Sequence, residues 1–406
     1  PKMPYSGQGE RKLFGLGEGP GRHEDDLNSQ FVGDAGDVLR KHLKINGLDL
    51  ELDFWRQNAI RCRPMTSDGN NRTPTAKEIK CCEPLWRSEV NSLKPEFIFL
   101  FGGKAVEAFF MYRSKPISDS LTIGRWRGLC IPDSQTGAWV LPIFHPSFVN
   151  RNSESEIIFK LDLENAIKQL GRTPPVFLDY RRKIMSITAF NDVVTLLKRV
   201  LLTKPFLFFD YETSGLKAYY PGHTRWTISC RVKASDIASA FPFQYPGSWT
   251  SEQLTKIKNL WSQIMSDPSI RKVAQNIQME NPWTKIVIGV EPQGWEHDTM
   301  VFSHIQDERP KFTGLDFQVF INWGYEYGEN ITPYKQFDSG GKFNRMDKCP
   351  LPELLEYCGL DSYFGMELLI KQQNFLIQDT EEAKCSRMAY DLFHGGLLCF
   401  SDMEQA

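Results

Sequence analysis

The sequence predicts an α/β protein of two domains, and three observations carry that expectation. Apolar runs of strand length alternate with amphipathic helical patterns in both halves of the chain, which indicates sheets covered by helices. Gly171-Arg172-Thr173-Pro174-Pro175 interrupts the pattern near the middle, as a linker does. Phe206-Leu207-Phe208-Phe209 then runs into Asp210-Tyr211-Glu212, a buried-strand pattern ending in two acids. The expected division is residues 1–172, a linker at 173–186, a second domain at 187–384 and the start of a further region at 385–406. A chain of 406 residues and 46.8 kDa has room for two or three such domains.

Composition narrows the class. With 41% hydrophobic and 24% charged residues, the chain reads as globular rather than disordered. No apolar run approaches the roughly 20 residues of a membrane-spanning helix, and no secretory signal opens it. Nine scattered cysteines, an odd number, argue against a disulfide scaffold and for a reducing compartment. The cytoplasm is the expected location, that of a host cell for a viral source. A net charge of −2 removes global basicity without excluding nucleic acid, which needs only a local basic surface. Arg56, Arg61, Arg63 and Arg72 make one local concentration, readable as phosphate contacts or as a salt-bridged surface.

In the first domain, Lys12-Leu13-Phe14-Gly15-Leu16-Gly17 reads as a strand entering the turn Gly17-Glu18-Gly19-Pro20-Gly21. Such glycines admit a close ligand and leave backbone amides to hold it. Gly33 and Gly36 are expected to bracket a turn into a helix carrying Val38, Leu39, His42 and Leu43. Residues 96–101 and 139–144 read as strands, the latter ending at His145-Pro146-Ser147. Residues 156–170 read as a closing helix. Taken singly, Phe31 reads as core, Asn58 as a turn cap and His145 as a satisfied core histidine.

Together these motifs closely resemble a family-4 uracil-DNA glycosylase: Gly17-Glu18-Gly19-Pro20-Gly21, Glu24-Asp25, Phe31-Val32-Gly33-x-Ala35-Gly36, Asn58 before Arg61-Cys62-Arg63-Pro64, and His145-Pro146-Ser147 with Arg151-Asn152. The resemblance runs in order over about 170 residues. It implies a three-layer α/β glycosylase fold and hydrolysis of the bond between uracil and its deoxyribose, on a base flipped out of the stack. It further implies that Phe31 stacks on uracil and that Asn58 reads its Watson–Crick edge. His145 would stabilise charge on O2, and Glu18 with the Gly17–Gly21 turn would position water. Glu24 would close the pocket against a thymine methyl. Gly19, as in family 4 itself, stands where other glycosylase families place a catalytic aspartate. The family also binds a [4Fe–4S] cluster through four cysteines. Cys62 and Cys82, with Cys81 beside it, match the downstream pair. The upstream Cys-x-x-Cys would lie before Pro1, so the expectation is an upstream truncation rather than a lost cluster.

In the second domain, alternation places Asp210 and Glu212 on one side of their strand. Two carboxylates so placed repel unless a cation or proton lies between them. Two readings stand on those residues alone: a divalent-metal platform, or a solvated acidic turn. Residues 226–230 and 238–243 read as antiparallel strands, and Thr250-x-x-Gln253 as a capping box opening a helix. Asn276 and Glu280 stand four apart at a strand-to-helix passage. Tyr357 and Asp361 share one face of a helix that starts near Pro352.

Asp210-x-Glu212-Thr213, Asn276 with Glu280, and Tyr357-x-x-x-Asp361 resemble the three motifs of DnaQ-like 3′–5′ exonucleases, in the order found in family A DNA polymerases. His297-Asp298-Thr299-Met300 and Gly314-Leu315-x-Phe317-Gln318 extend the likeness. The resemblance implies an RNase H-like fold with a mixed sheet. It implies two Mg²⁺ or Mn²⁺ ions held by Asp210, Glu212, Glu280 and Asp361, with Tyr357 orienting the attacking water and Asn276 contacting substrate. Glu280 departs from the usual aspartate by one methylene. Residues 388–404 resemble the helix that opens the polymerase region of that family. The expected whole is a phage-type replication and repair enzyme, acting on single-stranded 3′ ends and uracil-containing DNA, and associated with a polymerase domain or subunit. Two alternatives from other classes stand beside it: a first domain that senses uracil or template without cutting, and an accessory fragment that docks on a separate polymerase.

Overall fold

The computed structural model describes residues 3–151, 154–220, 222–337 and 339–403, so Asn152 and Glu404 lie outside the described residues. Two compact units divide the chain: residues 1–177 with 319–326, and residues 178–318 with 327–406.

The first unit holds a five-stranded sheet built from β1 (Leu13–Gly17), β2 (Phe54–Asn58), β3 (Phe97–Phe101), β4 (Ile131–Asp133) and β5 (Ala138–Ile143), in the order β2-β1-β3-β5-β4. β1, β2, β3 and β5 run parallel, and β4 pairs antiparallel with β5. Every residue of β1 and β3 is buried, the continuous apolar pattern of a sheet covered on both faces. Leu39 and Leu43 from the helix Asp34–Ile45, Phe159 and Leu163 from the helix Glu154–Ile167, and Phe54, Phe99 and Leu141 from the sheet share one core. The helix Asp34–Ile45 starts three residues earlier than its sequence suggests, so Gly36 lies inside it rather than in a turn. A Cβ at Gly36 would fall 1.7 Å from the Phe31 carbonyl oxygen, which is why that helical position carries none. Residues 319–326 complete this unit: Phe320 packs edge-on to Phe110 and Trp126, and Glu326 accepts from the buried Arg113 guanidinium at 2.8 Å.

The second unit holds β6 (Ile184–Ser186), β7 (Phe206–Thr213), β8 (Arg225–Val232), β9 (Ala238–Pro242), β10 (Arg271–Ala274) and β11 (Trp295–Asp298), in the order β11-β10-β7-β8-β9-β6. β8 is antiparallel to both neighbours, whereas β7, β10 and β11 are mutually parallel. Counted from β7, the order is third, second, first, fourth, fifth with only the second reversed, the mixed sheet of an RNase H-like fold. Edge strand β6 adds to this from within 173–186. The helix Leu351–Leu376 packs across β7, β8 and β9. The capping box forms: the Gln253 amide donates to Thr250 Oγ1 at 3.2 Å, and the Thr250 amide donates to Gln253 Oε1 at 3.0 Å. Among the described residues, no helix is long and apolar enough to cross a membrane.

Candidate active sites

In the first unit, the parallel strands converge on a cleft at their C-terminal ends. Gly17 ends β1 beside Asn58 at the end of β2, in direct register. This places Asn58 on a strand, not in a turn. Asn58 is only 3% exposed, and its Nδ2 has no hydrogen-bond partner within the protein, an expensive condition for a buried amide unless a ligand supplies the acceptor. Its neighbour Gln57 accepts from the Asn58 backbone amide at 2.9 Å and donates to Glu89 at 3.0 Å, which fixes the strand end.

Phe31 reaches the same place from the loop before the helix Asp34–Ile45. Its φ of +56° is unusual for a bulky residue and needs support from its surroundings. Glu24 supplies part of it, accepting from the Phe31 amide at 2.8 Å, and Arg40 donates to the Phe31 carbonyl at 2.8 Å. The ring lies 6.5 Å from the His145 ring at 24°, and edge-on to Phe101. A Cβ at Gly17 would come within 2.4 Å of Asn58 Oδ1 and 2.8 Å of Phe31 Cζ, so both side chains close over a residue that has none. At Gly19 a Cβ would meet Ile60 Cγ1 at 2.7 Å, leaving no room for the longer acid that other families carry.

His145 follows β5. The Ser147 amide donates to His145 Nδ1 at 3.2 Å, with Ser147 Oγ 2.8 Å from the same nitrogen. An acceptor Nδ1 puts the neutral ring's proton on Nε2. The adjoining cleft, about 660 Å³, is lined by Glu18, Gly19, Glu24, Arg72 and His145 among others. The structure therefore brings Gly17, Asn58 and Phe31 together, sets His145 beside Phe31, and lines one cleft with Glu18, Gly19, Glu24 and His145.

The basic concentration resolves mostly into ion pairs: Arg56 with Glu51, Arg61 with Glu89 at 2.6 Å and Arg72 with Glu78 at 2.6 Å. Cys62 is exposed and Cys82 partly exposed. Among the described residues, neither belongs to a group of three or more clustered metal-ligand side chains. Two thiols do not make the four-ligand set of an iron–sulfur cluster, so the residues present do not by themselves fit one.

In the second unit, acids replace neutral groups. Asp210 and Glu212 lie on one side of β7. Cys358, from the helix Leu351–Leu376, joins them: one ligand atom of each lies within 4.8 Å of the others. Glu280 and Asp361 fall outside that tight group but within its electrostatic reach. Glu280 is 3% exposed, and its Oε2 has no hydrogen-bond partner. Burial first, then the charge of Asp210, holds the carboxyls of Glu280 and Asp361 well above the ordinary range. Burial, then Asp210 and Asp361, does the same to Glu212. Burial pushes Asp210 up to about 7 against the pull of Lys335. Acids crowded into one dry place hold protons unless a cation replaces them.

Two surrounding groups organise this cluster, and the motifs do not reveal them. Tyr327 donates to Asp361 Oδ1 at 2.5 Å and stacks on Tyr357 at 5.5 Å. The Lys335 ammonium donates to the Tyr357 hydroxyl at 2.7 Å, and its charge lowers Asp210, Glu212, Asp316 and Asp361 alike. Both residues lie in an irregular stretch with no periodic signal; a lone lysine there looks like surface. Asp298 has a different task from its neighbours. It accepts from the amides of Asn276, Ile277, Met300 and Val301, capping two helix starts and fixing the turn that carries Glu280. Asn276 takes a left-handed φ of +78° there and lines a cavity of about 260 Å³ with Leu216, Tyr219 and Met279.

The first site defines the class. A family model of the uracil DNA glycosylase superfamily matches residues 4–170. The type-4 uracil-DNA glycosylase of Thermotoga maritima is 35% identical over 159 residues, 39% of this chain and 77% of that protein. That of Pyrobaculum aerophilum is 32% identical over 169 residues, 40% of this chain and 81% of that protein. Through this segment the chain belongs to the type-4 uracil-DNA glycosylase family. Among solved structures, the RNase D–GMP complex of Trypanosoma brucei superposes with a TM-score of 0.38 at 17% identity, covering 52% of this chain and 63% of that one. Brucella melitensis NrnC with bound Mg²⁺ gives 0.35 at 14%, covering 55% and 91%.

Proposed function

We propose that the chain is a DNA-processing enzyme with two hydrolytic activities: uracil excision in the first unit and metal-dependent 3′–5′ exonuclease action in the second. The observation that carries the first is the buried, unpartnered Nδ2 of Asn58 beside the Phe31 ring. An amide offers one donor and one acceptor side by side, the complement of the uracil O4 and N3–H edge. Phe31 provides a stacking face. His145, protonated on Nε2, offers a donor to the O2 where negative charge grows as the glycosidic bond breaks. Glu18 and the Gly17–Gly21 turn place the water that adds to the sugar carbon, and Glu24 braces the Phe31 loop.

In the second unit, Asp210, Glu212, Glu280 and Asp361 would hold Mg²⁺ or Mn²⁺, which supplies charge stabilisation for the attacking and leaving oxygens of a phosphodiester. The donor set fits: hard carboxylates, three buried and Asp210 partly so, mutually repelling, with one oxygen unpartnered. Tyr357, held by Lys335, orients the attacking water, and the cavity beside Asn276 takes the terminal nucleotide. Association with a polymerase completes the proposal. The exposed apolar side chains of Met388, Leu392 and Phe393 on the helix Glu381–Met403 support it.

The test is separation of function in one chain. Asp210→Ala with Glu212→Ala should reduce 3′ digestion of single-stranded DNA by about 10³-fold or more while leaving uracil release intact. Asn58→Ala or His145→Ala should do the reverse. Digestion undiminished in the first variant, or uracil release undiminished in the second, removes the corresponding half.

A further inference from the structure

We propose that Cys358 gives the acid site of the second unit a sulfur ligand, so that Asp210, Glu212 and Cys358 form a site for a thiophilic divalent ion such as Zn²⁺ or Cd²⁺. The inference rests on reading this cluster as a metal site, and it adds a donor that the three acidic motifs do not contain. Cys358 is completely buried on the helix Leu351–Leu376. Its Sγ lies 4.0 Å from Asp210 Oδ2 and 3.9 Å from the Asp210 carbonyl oxygen. Ser229 Oγ donates to the Cys358 carbonyl at 2.5 Å, which ties this helical turn to β8.

A buried cysteine alone is a small core residue. Here a second observation points to a ligand: the Glu280 carboxylate is 3% exposed, its Oε2 has no hydrogen-bond partner, and it lies within reach of the charges of Asp210 and Glu212. The reach is right. Typical Zn–O and Zn–S lengths of about 2.1 and 2.3 Å put the two donors about 3.6 Å apart at a tetrahedral angle. Closing the 4.0 Å between Asp210 Oδ2 and Cys358 Sγ on an ion takes a movement of about 0.4 Å. On binding, the sulfur lone pair coordinates the ion and the thiol proton leaves to solvent. Oxygen-only sites favour Mg²⁺ and Mn²⁺, whereas one thiolate shifts preference toward softer ions. The consequence is a site in which Zn²⁺ competes with the ions that support digestion.

The experiment uses the full chain with its exposed thiols capped by N-ethylmaleimide. Cd²⁺ is titrated by calorimetry and by the ultraviolet thiolate-to-cadmium absorption band, against excess Mg²⁺. The expected result is a band saturating at one equivalent, absent from Cys358→Ser and from Asp210→Ala with Glu212→Ala. Cd²⁺ affinity should fall by roughly 10- to 100-fold in Cys358→Ser. A wild-type difference band that survives in either variant overturns the proposal. The double acid variant decides should Cys358→Ser not fold. Mg²⁺-dependent digestion without any thiolate band overturns this inference alone; absence of all divalent binding overturns it together with the nuclease reading.

Discussion

The two sites are built in opposite ways. The uracil pocket is assembled by steric closure: Asn58 and Phe31 press on the space over Gly17, and the charged groups around them are paired. In the proposed reading it receives a neutral base. The acid site is assembled against its own electrostatics. Asp210, Glu212, Glu280 and Asp361 each hold a proton more tightly than an ordinary carboxyl does. One site stores its function in shape; the other stores it in charge that only a cation relieves. Stability and activity should therefore fall together when the first site is disturbed, whereas removing an acid from the second should cost activity and raise metal-free stability.

Glu280→Gln is the sharpest way to break that contrast. It keeps the shape and removes one of the repelling charges, whose Oε2 has no partner. Metal-dependent digestion should fall by about 10³-fold, on the order of 4 kcal/mol. The metal-free protein should at the same time melt at a higher temperature at pH 8. A lower melting temperature would show that the acids are not in conflict.

The pH dependence has a defined sign. A carboxyl whose folded pKa is raised binds more protons in the native than in the unfolded state, so it removes stability as pH climbs between the two values. For Asp210 that window runs from 3.8 to about 7. Metal-free stability attributable to this group should decline across it, with an upper bound of about 4 kcal/mol. Added Mn²⁺ should restore most of the loss at pH 8 and little at pH 4.5. Calorimetric melting at the two pH values, with and without Mn²⁺, checks this, and a Mn²⁺ effect independent of pH would contradict it.

Gly17→Ala tests the other side. Its Cβ would need space that Asn58 Oδ1 and Phe31 Cζ already occupy. Uracil release should fall about 10²-fold from misplacement of the reading amide, and the melting temperature should fall with it. Release lost at unchanged stability would mean the pocket yields rather than closes.

How much of this was legible beforehand follows the same divide. The acids announce themselves, because Asp210-Tyr211-Glu212 after an apolar strand and Tyr357 four residues before Asp361 are patterns of spacing. The glycine turn is similarly local. What stayed hidden was set by tertiary contact. β2 carries Arg56, Gln57 and Asn58 buried, Arg56 paired with Glu51, Gln57 donating to Glu89 and Asn58 Nδ2 left without a partner, so its strand pattern is disguised by polarity. β11 hides in the same way, with His297 and Asp298 buried by Gln372 and by helix amides. Cys358 was visible only as a letter between Tyr357 and Gly359. Its meaning depends on a packing distance to β7 that no periodicity encodes.

Lys335 gives the smallest expected effect and the finest test of the charge balance. It is exposed, yet its ammonium is the cation that lowers Asp210, Glu212 and Asp361 in the metal-free protein, and it holds the Tyr357 hydroxyl at 2.7 Å. Lys335→Met keeps an unbranched apolar stem and removes the ammonium, which lies 4.2 Å over the Tyr357 ring. Solvent screening limits the loss of metal-free stability to about 1 kcal/mol. Digestion should slow by roughly tenfold as Tyr357 loses its anchor. The direction matters more than the size, because deleting a positive charge should destabilise where deleting the negative charge of Glu280 stabilises. In the double variant the two shifts should largely cancel, since both act through Asp210. Melting shifts of the same sign for Lys335→Met and Glu280→Gln would mean that packing, not charge, governs this site, and the contrast with the uracil pocket would collapse.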